Sequence, residues 1–306
     1  MMNRRRFFAI GGRALGSVMA GAAGVGLYAW RIEPEWVELV QRPMWLQNLP
    51  SQLEGRTLLH ISDIHVGPRV SSSYLIRVLS NACELAPDFV VFTGDFVTYR
   101  SANEYGELAR VLRALPKGQL GTVAVLGNHD YGAGWRRVEV ADGVARVAQD
   151  AGMVVLRNEV RAVGGLQFAG LADIWSPEFG PLGNAPAARL APARPDAAMA
   201  VRAIVPDLPT VILTHNPDTQ DLPIWDGVQG WVLAGHTHGG QVKPPFLPPP
   251  LLPVRNKRYT AGEFIVAPGR TMYINRGLGY LMRARFNARP ELTLFTLERA
   301  GRSPNA

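Results

Sequence analysis

Five of the six histidines in this chain lie in short polar stretches that follow apolar segments. They are His65, His129, His215, His236 and His238. Imidazole is the commonest metal ligand near neutral pH. The pattern is clearest at residues 235–241, where two histidines one residue apart follow the apolar residues 230–234 and are flanked by glycines that allow a sharp turn. His60 lies inside a predicted strand, and we expect it to be an ordinary core histidine.

Carboxylate and amide side chains occupy equivalent places after other apolar segments. Asp63, Asp95 and Asn128 each follow a different segment. Carboxylate, amide and imidazole groups suit a borderline divalent cation that keeps positions open for water or substrate. Eight such groups suffice for two ions, and two ions about 3.5–4 Å apart can clamp the attacking and leaving oxygens of a phosphoryl transfer. Asp95, on the central strand end, is the candidate bridge.

Alternating strands and helices are predicted to position these groups. Apolar strands are expected at residues 57–61, 89–92 and 122–126, and each is followed by polar residues and then by a helix. These helices are expected at residues 74–85, 104–115 and about 135–151. The second half is predicted to contain short strands with tight turns. Because ligands collect outside the carboxyl ends of strands in α/β domains, the polar clusters are expected to meet there.

This combination of motifs resembles the calcineurin-like metallophosphoesterase family. Five stretches match in order: Asp63-Ile64-His65, Gly94-Asp95, Gly127-Asn128-His129-Asp130, His215, and Gly235-His236-Thr237-His238. The resemblance implies a layered α/β/β/α sandwich, with two mixed β-sheets flanked by helices and a dimetal site at the strand carboxyl ends. It implies an enzyme that hydrolyses a phosphodiester or pyrophosphate bond by attack of a metal-bound hydroxide. Mixed oxygen and nitrogen ligands admit two divalent ions of Mn, Fe, Zn or Mg.

The resemblance also implies a role for each matched residue. The first ion is assigned the ligands Asp63, His65, Asp95 and His238. The second ion is assigned the ligands Asp95, Asn128, His215 and His236. His129 is left unligated, which acid catalysis requires, since a ligated imidazole cannot shuttle protons. His129 and Asn128 are expected to contact phosphate, with Asp130 orienting the His129 imidazole.

Two regions are candidates for further substrate contacts. Arg283 and Arg285 could bind a second phosphate because guanidinium matches phosphate geometry; the alternative is that they are solvated surface residues. Residues 246–252 are apolar and stiffened by prolines. They are interpreted either as a wall for a lipid-like group or a membrane surface, or as a loop packed on the domain. A lipid- or wall-linked phosphodiester or pyrophosphate is therefore one substrate hypothesis.

The first 30 residues are predicted to be a twin-arginine-like export signal or an inner-membrane anchor. Arg4-Arg5-Arg6-Phe7-Phe8 is followed by an apolar segment rich in Gly and Ala, although Asn3 stands where Ser or Thr is usual. Either interpretation locates the protein in the cell envelope and favours membrane association. Residues 31–56, which contain three prolines, are predicted to be an extended lead-in. Residues 57–300 are predicted to form the metallophosphoesterase domain.

Charge and cysteine content narrow the function classes. The formal net charge is +7, but five arginines precede the first acidic residue, Glu33, so residues 32–306 carry only +2. This distribution argues against a nucleic-acid partner, and we expect a monomer. The single cysteine, Cys83, excludes an internal disulfide and a cysteine metal cluster, and it is expected to be a buried structural thiol.

The branch of the family is indicated by further stretches near the end of the chain. Asn275-Arg276-Gly277-Leu278-Gly279 and residues 285–291 are similar to bacterial exported or membrane-associated phosphodiesterases of this family. An alternative function is UDP-2,3-diacylglucosamine pyrophosphohydrolase of lipid A biosynthesis. A further alternative is a non-catalytic cell-wall or membrane-binding protein with a relict metal site, which the intact ligand set and His129 disfavour.

Overall fold

The computed structural model describes residues 4–183 and 196–301. Residues 1–3, the beginning of the predicted export signal, lie outside this range. The helices are α1 (Arg4–Leu27), α2 (Ser72–Ala82), α3 (Asn103–Leu112), α4 (Val138–Asp150) and α5 (Ala197–Arg202). The strands are β1 (Glu38–Leu46), β2 (Thr57–Ile61), β3 (Phe89–Thr93), β4 (Gly121–Val125), β5 (Val154–Val155), β6 (Glu159–Val163), β7 (Leu166–Gly170), β8 (Thr210–Leu213), β9 (Gly230–Ala234), β10 (Gly262–Ala267), β11 (Arg270–Ile274) and β12 (Glu291–Arg299).

The described strands form two mixed six-stranded sheets. The first has the order β1-β12-β2-β3-β4-β5, and the second has the order β10-β11-β9-β8-β7-β6. Strands β2 to β5 run parallel to one another, as do β7, β8, β9 and β11. The carboxyl ends of these parallel strands therefore meet at one edge of each sheet.

Three apolar clusters hold the layers together. Phe89 and Leu233 belong to the cluster between the sheets. Leu75 of α2 and Val144 of α4 belong to a cluster that covers the outer face of the first sheet. Val201 of α5 belongs to the cluster on the outer face of the second sheet. The predicted α/β/β/α sandwich is confirmed.

The predicted lead-in, residues 31–56, is part of the first sheet. β1 lies at its edge and pairs in parallel with β12 along its whole length. Met44 and Leu46 are buried in the cluster between the sheets. Pro43 is compatible with this position because an edge strand has one side outside the ladder. β1 therefore packs with the strands of residues 57–300, the predicted metallophosphoesterase domain.

The segment after α1 packs against the end of the chain. A π-helical turn at Tyr28–Ile32 follows α1. The carbonyl of Ala29 accepts a hydrogen bond from the backbone N–H of Arg285 at 2.9 Å, and the ring of Tyr28 lies edge-on to Phe286. Across residues 4–183 and 196–301, no helix combines the length and the apolar character needed to cross a membrane.

Two residues assigned to the core differ in their positions. Cys83 is exposed at the end of α2, so the prediction of a buried thiol is wrong. His60 is fully buried in β2, as expected. Its Nε2 lies 2.8 Å from Thr93 Oγ1, and burial lowers its pKa to about 3, so the ring is neutral.

Leu46→Ala in β1 is expected to lower the free energy of unfolding by about 2–5 kcal/mol, because truncation leaves a cavity between the sheets. Leu46 is 1% exposed, whereas Leu39 on the same strand is 43% exposed. Leu39→Ala is therefore the control, with an expected loss of about 0.5 kcal/mol or less. Urea unfolding followed by circular dichroism measures both variants. Equally small losses would contradict the packing of β1 into the core.

Candidate metal centre

The carboxyl ends of five strands converge on one buried site. Each strand is followed by a loop that carries one or two of the predicted ligands. Asp63 follows β2, Asp95 follows β3, Asn128 follows β4, His215 follows β8, and His236 and His238 follow β9. Their side chains come from both sheets, so the site exists only when the two sheets pack together.

Six of the seven predicted ligands form two compact groups. The first group contains Asp63, His65 and His238, and the second contains Asp95, His215 and His236. Within each group the candidate ligand atoms all lie within 4.8 Å of one another, and every residue is buried. These are the same sets that the sequence assigned to separate ions, apart from the shared Asp95 and the amide of Asn128.

Distances within the groups are short for atoms with lone pairs. In the first group, His238 Nε2 lies 3.1 Å from His65 Nε2 and 3.3 Å from Asp63 Oδ1. In the second group, His215 Nε2 lies 3.1 Å from His236 Nδ1 and 3.2 Å from Asp95 Oδ2. Such convergence of acceptor atoms is what a cation ligand set requires.

Asp95 lies between the two groups. Its Oδ2 is 3.4 Å from His65 Nε2 in the first group and 3.2 Å from His215 Nε2 in the second. Its Oδ1 accepts a hydrogen bond from the backbone N–H of His129 at 2.9 Å. One oxygen is therefore directed at both groups while the other is held by the backbone, an arrangement consistent with the predicted bridging role.

Asn128 provides an independent test of whether the site fits a metal. Both its Oδ1 and its Nδ2 are buried, and neither has a hydrogen-bond partner in the described part of the chain. Buried amides are almost always hydrogen-bonded, so an unpartnered one beside a cluster of imidazoles needs an explanation. A divalent cation accepting Asn128 Oδ1 as a ligand supplies one, and the donor set as a whole fits two such ions.

Comparison with known proteins is consistent with this geometry. The calcineurin-like phosphoesterase family matches residues 56–240, a range that includes both ligand groups. The chain belongs to the calcineurin-like phosphoesterase family. Together with the two ligand groups, this membership makes it a dinuclear-metal phosphoesterase.

Three relatives resemble the phosphoesterase over most of its length. It is 30% identical to phosphodiesterase YaeI of Escherichia coli, over 97% of this chain and 100% of the relative. It is 32% identical to the uncharacterized metallophosphoesterase YkuE of Bacillus subtilis, over 97% of this chain and 98% of the relative. It is 26% identical to the UDP-2,3-diacylglucosamine pyrophosphatase LpxG of Chlamydia muridarum, over 92% of this chain and 95% of the relative.

The backbone of the phosphoesterase is left-handed at five of the ligands. The φ angles are 52° at Asp63, 48° at His65, 56° at Asp95, 71° at His236 and 51° at His238. This conformation is uncommon for residues other than glycine and costs free energy that the surrounding fold must offset. It turns the chain sharply after each strand.

At two glycines, a candidate ligand carboxylate occupies the space where a side chain would lie. A Cβ at Gly127 would overlap the carboxylate of Asp95, and a Cβ at Gly235 would overlap Asp63 and the hydroxyl of Ser62. Neither position can carry a larger side chain without displacing a candidate ligand. The glycines of the Gly127 and Gly235 motifs therefore act through the absence of a side chain as well as through the turns they form.

Hydrogen bonds behind the imidazoles set which nitrogen faces the site. His65 Nδ1 lies 3.0 Å from Thr98 Oγ1, and His215 Nδ1 donates to the carbonyl of Thr93 at 2.7 Å. His236 is turned the other way, since its Nε2 donates to the carbonyl of Pro253 at 2.8 Å. Each hydrogen bond leaves the opposite ring nitrogen facing the site as the candidate ligand atom. Hydrogen-bond partners behind a metal ligand usually orient it in this way.

In the metal-free site, the pKa of His215 differs from those of the neighbouring imidazoles. Burial lowers the pKa of both His65 and His236 to about 3, so each is a neutral imidazole with a free lone pair. His215 is different: burial alone would lower its pKa, but the Asp95 and Asp63 carboxylates raise it well above its ordinary value. Ligation needs the neutral form, so an ion held by the second group would require His215 to give up its proton.

Asp130 and Arg285 make backbone contacts that the sequence did not predict. Both oxygens of Asp130 accept backbone N–H groups, from Gly127 at 2.8 Å and Val97 at 3.1 Å, so within the described residues Asp130 holds the loop rather than the His129 imidazole. Arg285 is fully buried, and its Nη2 donates to the carbonyl of Gly279 and lies 3.3 Å from His238 Nδ1. The Arg285 guanidinium is therefore held by backbone carbonyls beside His238, and its phosphate contact stays a prediction.

Arg283 forms an ion pair with the N-terminal segment. Its Nη2 pairs with Glu35 Oε1 at 2.9 Å, and its side chain is only 38% exposed. Sequence reasoning could not find this pairing because Glu35 belongs to the segment that was treated as a separate lead-in. Arg283 therefore connects the N-terminal segment to the end of the chain.

Three residues without a predicted role lie beside the second group. The ring of Trp175 lies edge-on to His236 at 4.6 Å and stacks on Trp135 at 4.7 Å. Burial raises the pKa of Asp173 to about 7, and its Oδ2 lacks a hydrogen-bond partner among the residues described. The position of Asp173 directly after β7 could have indicated that it lies near the site. The spacing of Trp135 and Trp175 gave no such indication.

Thr98→Val is expected to weaken metal binding about 10–100-fold, because His65 loses the partner that orients its ring. Thr98→Ser keeps a hydroxyl 3.0 Å from His65 Nδ1 in the native geometry and is expected to bind metal nearly as well as the unmodified protein. Titration of the metal-free protein with Mn in a calorimeter measures the affinities. The outer-partner interpretation is wrong if Thr98→Ser and Thr98→Val lose affinity equally.

Proposed function

We propose that this phosphoesterase hydrolyses a phosphodiester or pyrophosphate bond, with the residue roles assigned from its motifs. The observation that carries the proposal is the pair of buried ligand groups with Asp95 between them. Divalent ions in such a pair supply Lewis-acid charge for phosphoryl transfer and lower the pKa of water. Asp63, His65 and His238 would hold the first ion, Asn128, His215 and His236 would hold the second, and Asp95 would serve both.

His129 is assigned the role of general acid. It lies outside both ligand groups and is only partly buried, and the centroid of its ring is 5.1 Å from that of His65. In hydrolysis a bond forms between phosphorus and the oxygen of water, the bond to the leaving oxygen breaks, and that oxygen takes a proton. A half-buried imidazole beside the ions can deliver this proton, and its backbone bond to Asp95 fixes its loop.

The full chain, stripped of metal with EDTA and reloaded with Mn, is expected to hydrolyse bis-p-nitrophenyl phosphate. His129→Ala is expected to keep two ions and to lose about 10²–10⁴-fold in kcat on an alkyl phosphodiester, whose alkoxide leaving group needs a proton. It is expected to lose much less on the p-nitrophenyl ester, whose phenolate leaves without one. Asp95→Asn is expected to lose both activity and part of its Mn content, since a neutral amide binds cations less well. Metal analysis accompanies each assay. No loss in His129→Ala on the alkyl ester, or equal losses on both esters, would overturn the acid role, and Mn binding without any hydrolysis would favour a binding protein.

A second candidate reaction is cleavage of UDP-2,3-diacylglucosamine at its pyrophosphate. The observation that favours it is the similarity to LpxG, which extends over 92% of this chain. In the same assay series, UMP release from this substrate in detergent would support the candidate. A Mn-loaded protein that cleaves the p-nitrophenyl ester but releases no UMP would exclude it.

We also propose that the protein acts in the cell envelope, either exported by its twin-arginine-like segment or anchored to the inner membrane. The support is the order of Arg4, Arg5 and Phe7 ahead of an apolar, Gly- and Ala-rich segment.

Replacement of Arg4 and Arg5 by Lys is expected to retain the protein in the cytoplasm, because the export machinery reads the arginine pair and not its charge. Fractionation of a Gram-negative host followed by immunoblotting gives the distribution. Arg13→Lys, outside the pair, is the control and is expected to leave the distribution unchanged. An identical distribution in the paired variant would refute twin-arginine export.

A further inference from the structure

An apolar pocket of about 400 Å³ opens beside the metal centre. One wall consists of residues 250–253, and the opposite wall contains Leu281 and Met282. His238, which belongs to the first ligand group, is part of the same lining. A group bound at the ions and a group bound in the pocket can therefore belong to one molecule.

Hydrogen bonds fix the walls of the apolar pocket to the metal centre. The carbonyl of Pro253 accepts from His236 Nε2 at 2.8 Å, which joins the first wall directly to a candidate ligand. Gln241 joins the second wall, since its Nε2 donates to the carbonyls of Met282 at 2.8 Å and Ala284 at 3.1 Å. The pocket is thus preformed, as binding sites for small molecules usually are.

The pocket is lined by apolar side chains that are poorly shielded from water. Leu251 is 71% exposed and Met282 is 52% exposed, although they face a recess that also contains Leu252 and Leu281. Contiguous exposed apolar surface of this kind marks binding sites in soluble domains. The volume lies within the range of about 300–1,000 Å³ that is typical of ligand pockets.

Cationic side chains flank both walls. Arg69 is exposed and donates from Nη1 to the carbonyl of Leu281 at 2.8 Å. Lys257 is exposed and donates from Nζ to the carbonyl of Leu252 at 2.7 Å. An apolar recess between two cations is complementary to an apolar chain attached to an anionic group.

We propose that the apolar pocket binds an acyl chain of the substrate, which makes the substrate class an anionic amphiphile with a phosphodiester or pyrophosphate bond. This inference rests on the proposed function, because the position of the phosphoryl group at the ions is what directs the chain past His238. The bound acyl chain covers Leu251 and Met282 and so shields them from water. Arg69 and Lys257 face the anionic part of the substrate.

The predicted apolar wall and the pocket coincide only in part. Phe246 is fully exposed and Leu247 is 61% exposed, and both lie outside the pocket lining. Binding of an acyl chain in the pocket therefore does not need Phe246, whereas contact of the protein with a lipid surface would involve it. This difference separates the two possibilities experimentally.

The first test uses the Mn-loaded full chain and p-nitrophenyl phosphodiesters whose second ester group is methyl, octyl or dodecyl, below their micelle concentrations. The kcat/KM is expected to rise at least tenfold from methyl to dodecyl, because the methylene groups of the longer chain are transferred from water into the apolar pocket. Leu251→Ser and Met282→Ser are each expected to reduce that ratio at least threefold. Ile265→Ser, an exposed apolar residue on β10, is the matched control and should leave the ratio unchanged.

The second test measures binding without catalysis. The metal-free chain is titrated with dansylaminoundecanoic acid, an anionic amphiphile, and the dansyl fluorescence is followed. Leu251→Ser is expected to raise the Kd at least fivefold, and Phe246→Ser is expected to leave it unchanged. Equal losses in both variants, or no binding by the unmodified chain, would overturn the acyl pocket.

The two tests separate failure of the pocket from failure of the proposed function. Hydrolysis of the methyl ester without any preference for longer chains overturns the pocket and leaves the phosphodiesterase intact. Chain binding that depends on Leu251, together with no hydrolysis of any ester, supports the pocket and contradicts the proposed reaction.

Discussion

Burial of two carboxylates and four imidazoles in one small volume is the constraint on which the rest of the structure depends. These groups are almost completely shielded from water, and each ionised carboxylate would lose several kcal/mol of solvation if nothing replaced its water contacts. The protein compensates by holding one side of each group through the backbone, a hydroxyl or, at His238, the Arg285 guanidinium, and by directing the other side at its neighbours. A site built this way needs cations, and it cannot relax into a loose arrangement of loops.

The rigidity comes from hydrogen bonds that continue beyond the strands. After β2 and β3, the backbone N–H of Asp63 donates to the carbonyl of Gly94 at 3.0 Å, and that of His65 donates to the carbonyl of Asp95 at 3.0 Å. The two loops thus remain paired although their residues have left-handed backbone. Strain at the ligands is tolerated because the parallel sheet holds both loops at a fixed separation.

The ligand set and the layered fold could be predicted because their signals are local. A polar residue directly after an apolar strand is predicted to lie at the carboxyl end of a strand in an α/β sheet. The matched motifs then identify the other ligands of the site. Arg285 and the edge strand β1 could not be predicted in this way. The carbonyls around Arg285 come from nearby residues of an irregular loop, whose path no periodic pattern predicts. The prolines near β1 mask an edge strand whose partner lies about 250 residues away. Likewise, sequence order cannot show that Leu251 faces a recess while Phe246 does not.

The position of β12 has a consequence for how the protein is made. β12 lies between β1 and β2 in the first sheet, so two early strands are joined only through a strand near the end of the chain. During synthesis β1 has no partner until almost the whole polypeptide has left the ribosome. Folding is therefore dominated by contacts of long sequence separation and is expected to be slow. The N-terminal residues are accessible to cellular factors throughout that interval, well before the enzyme has a completed sheet.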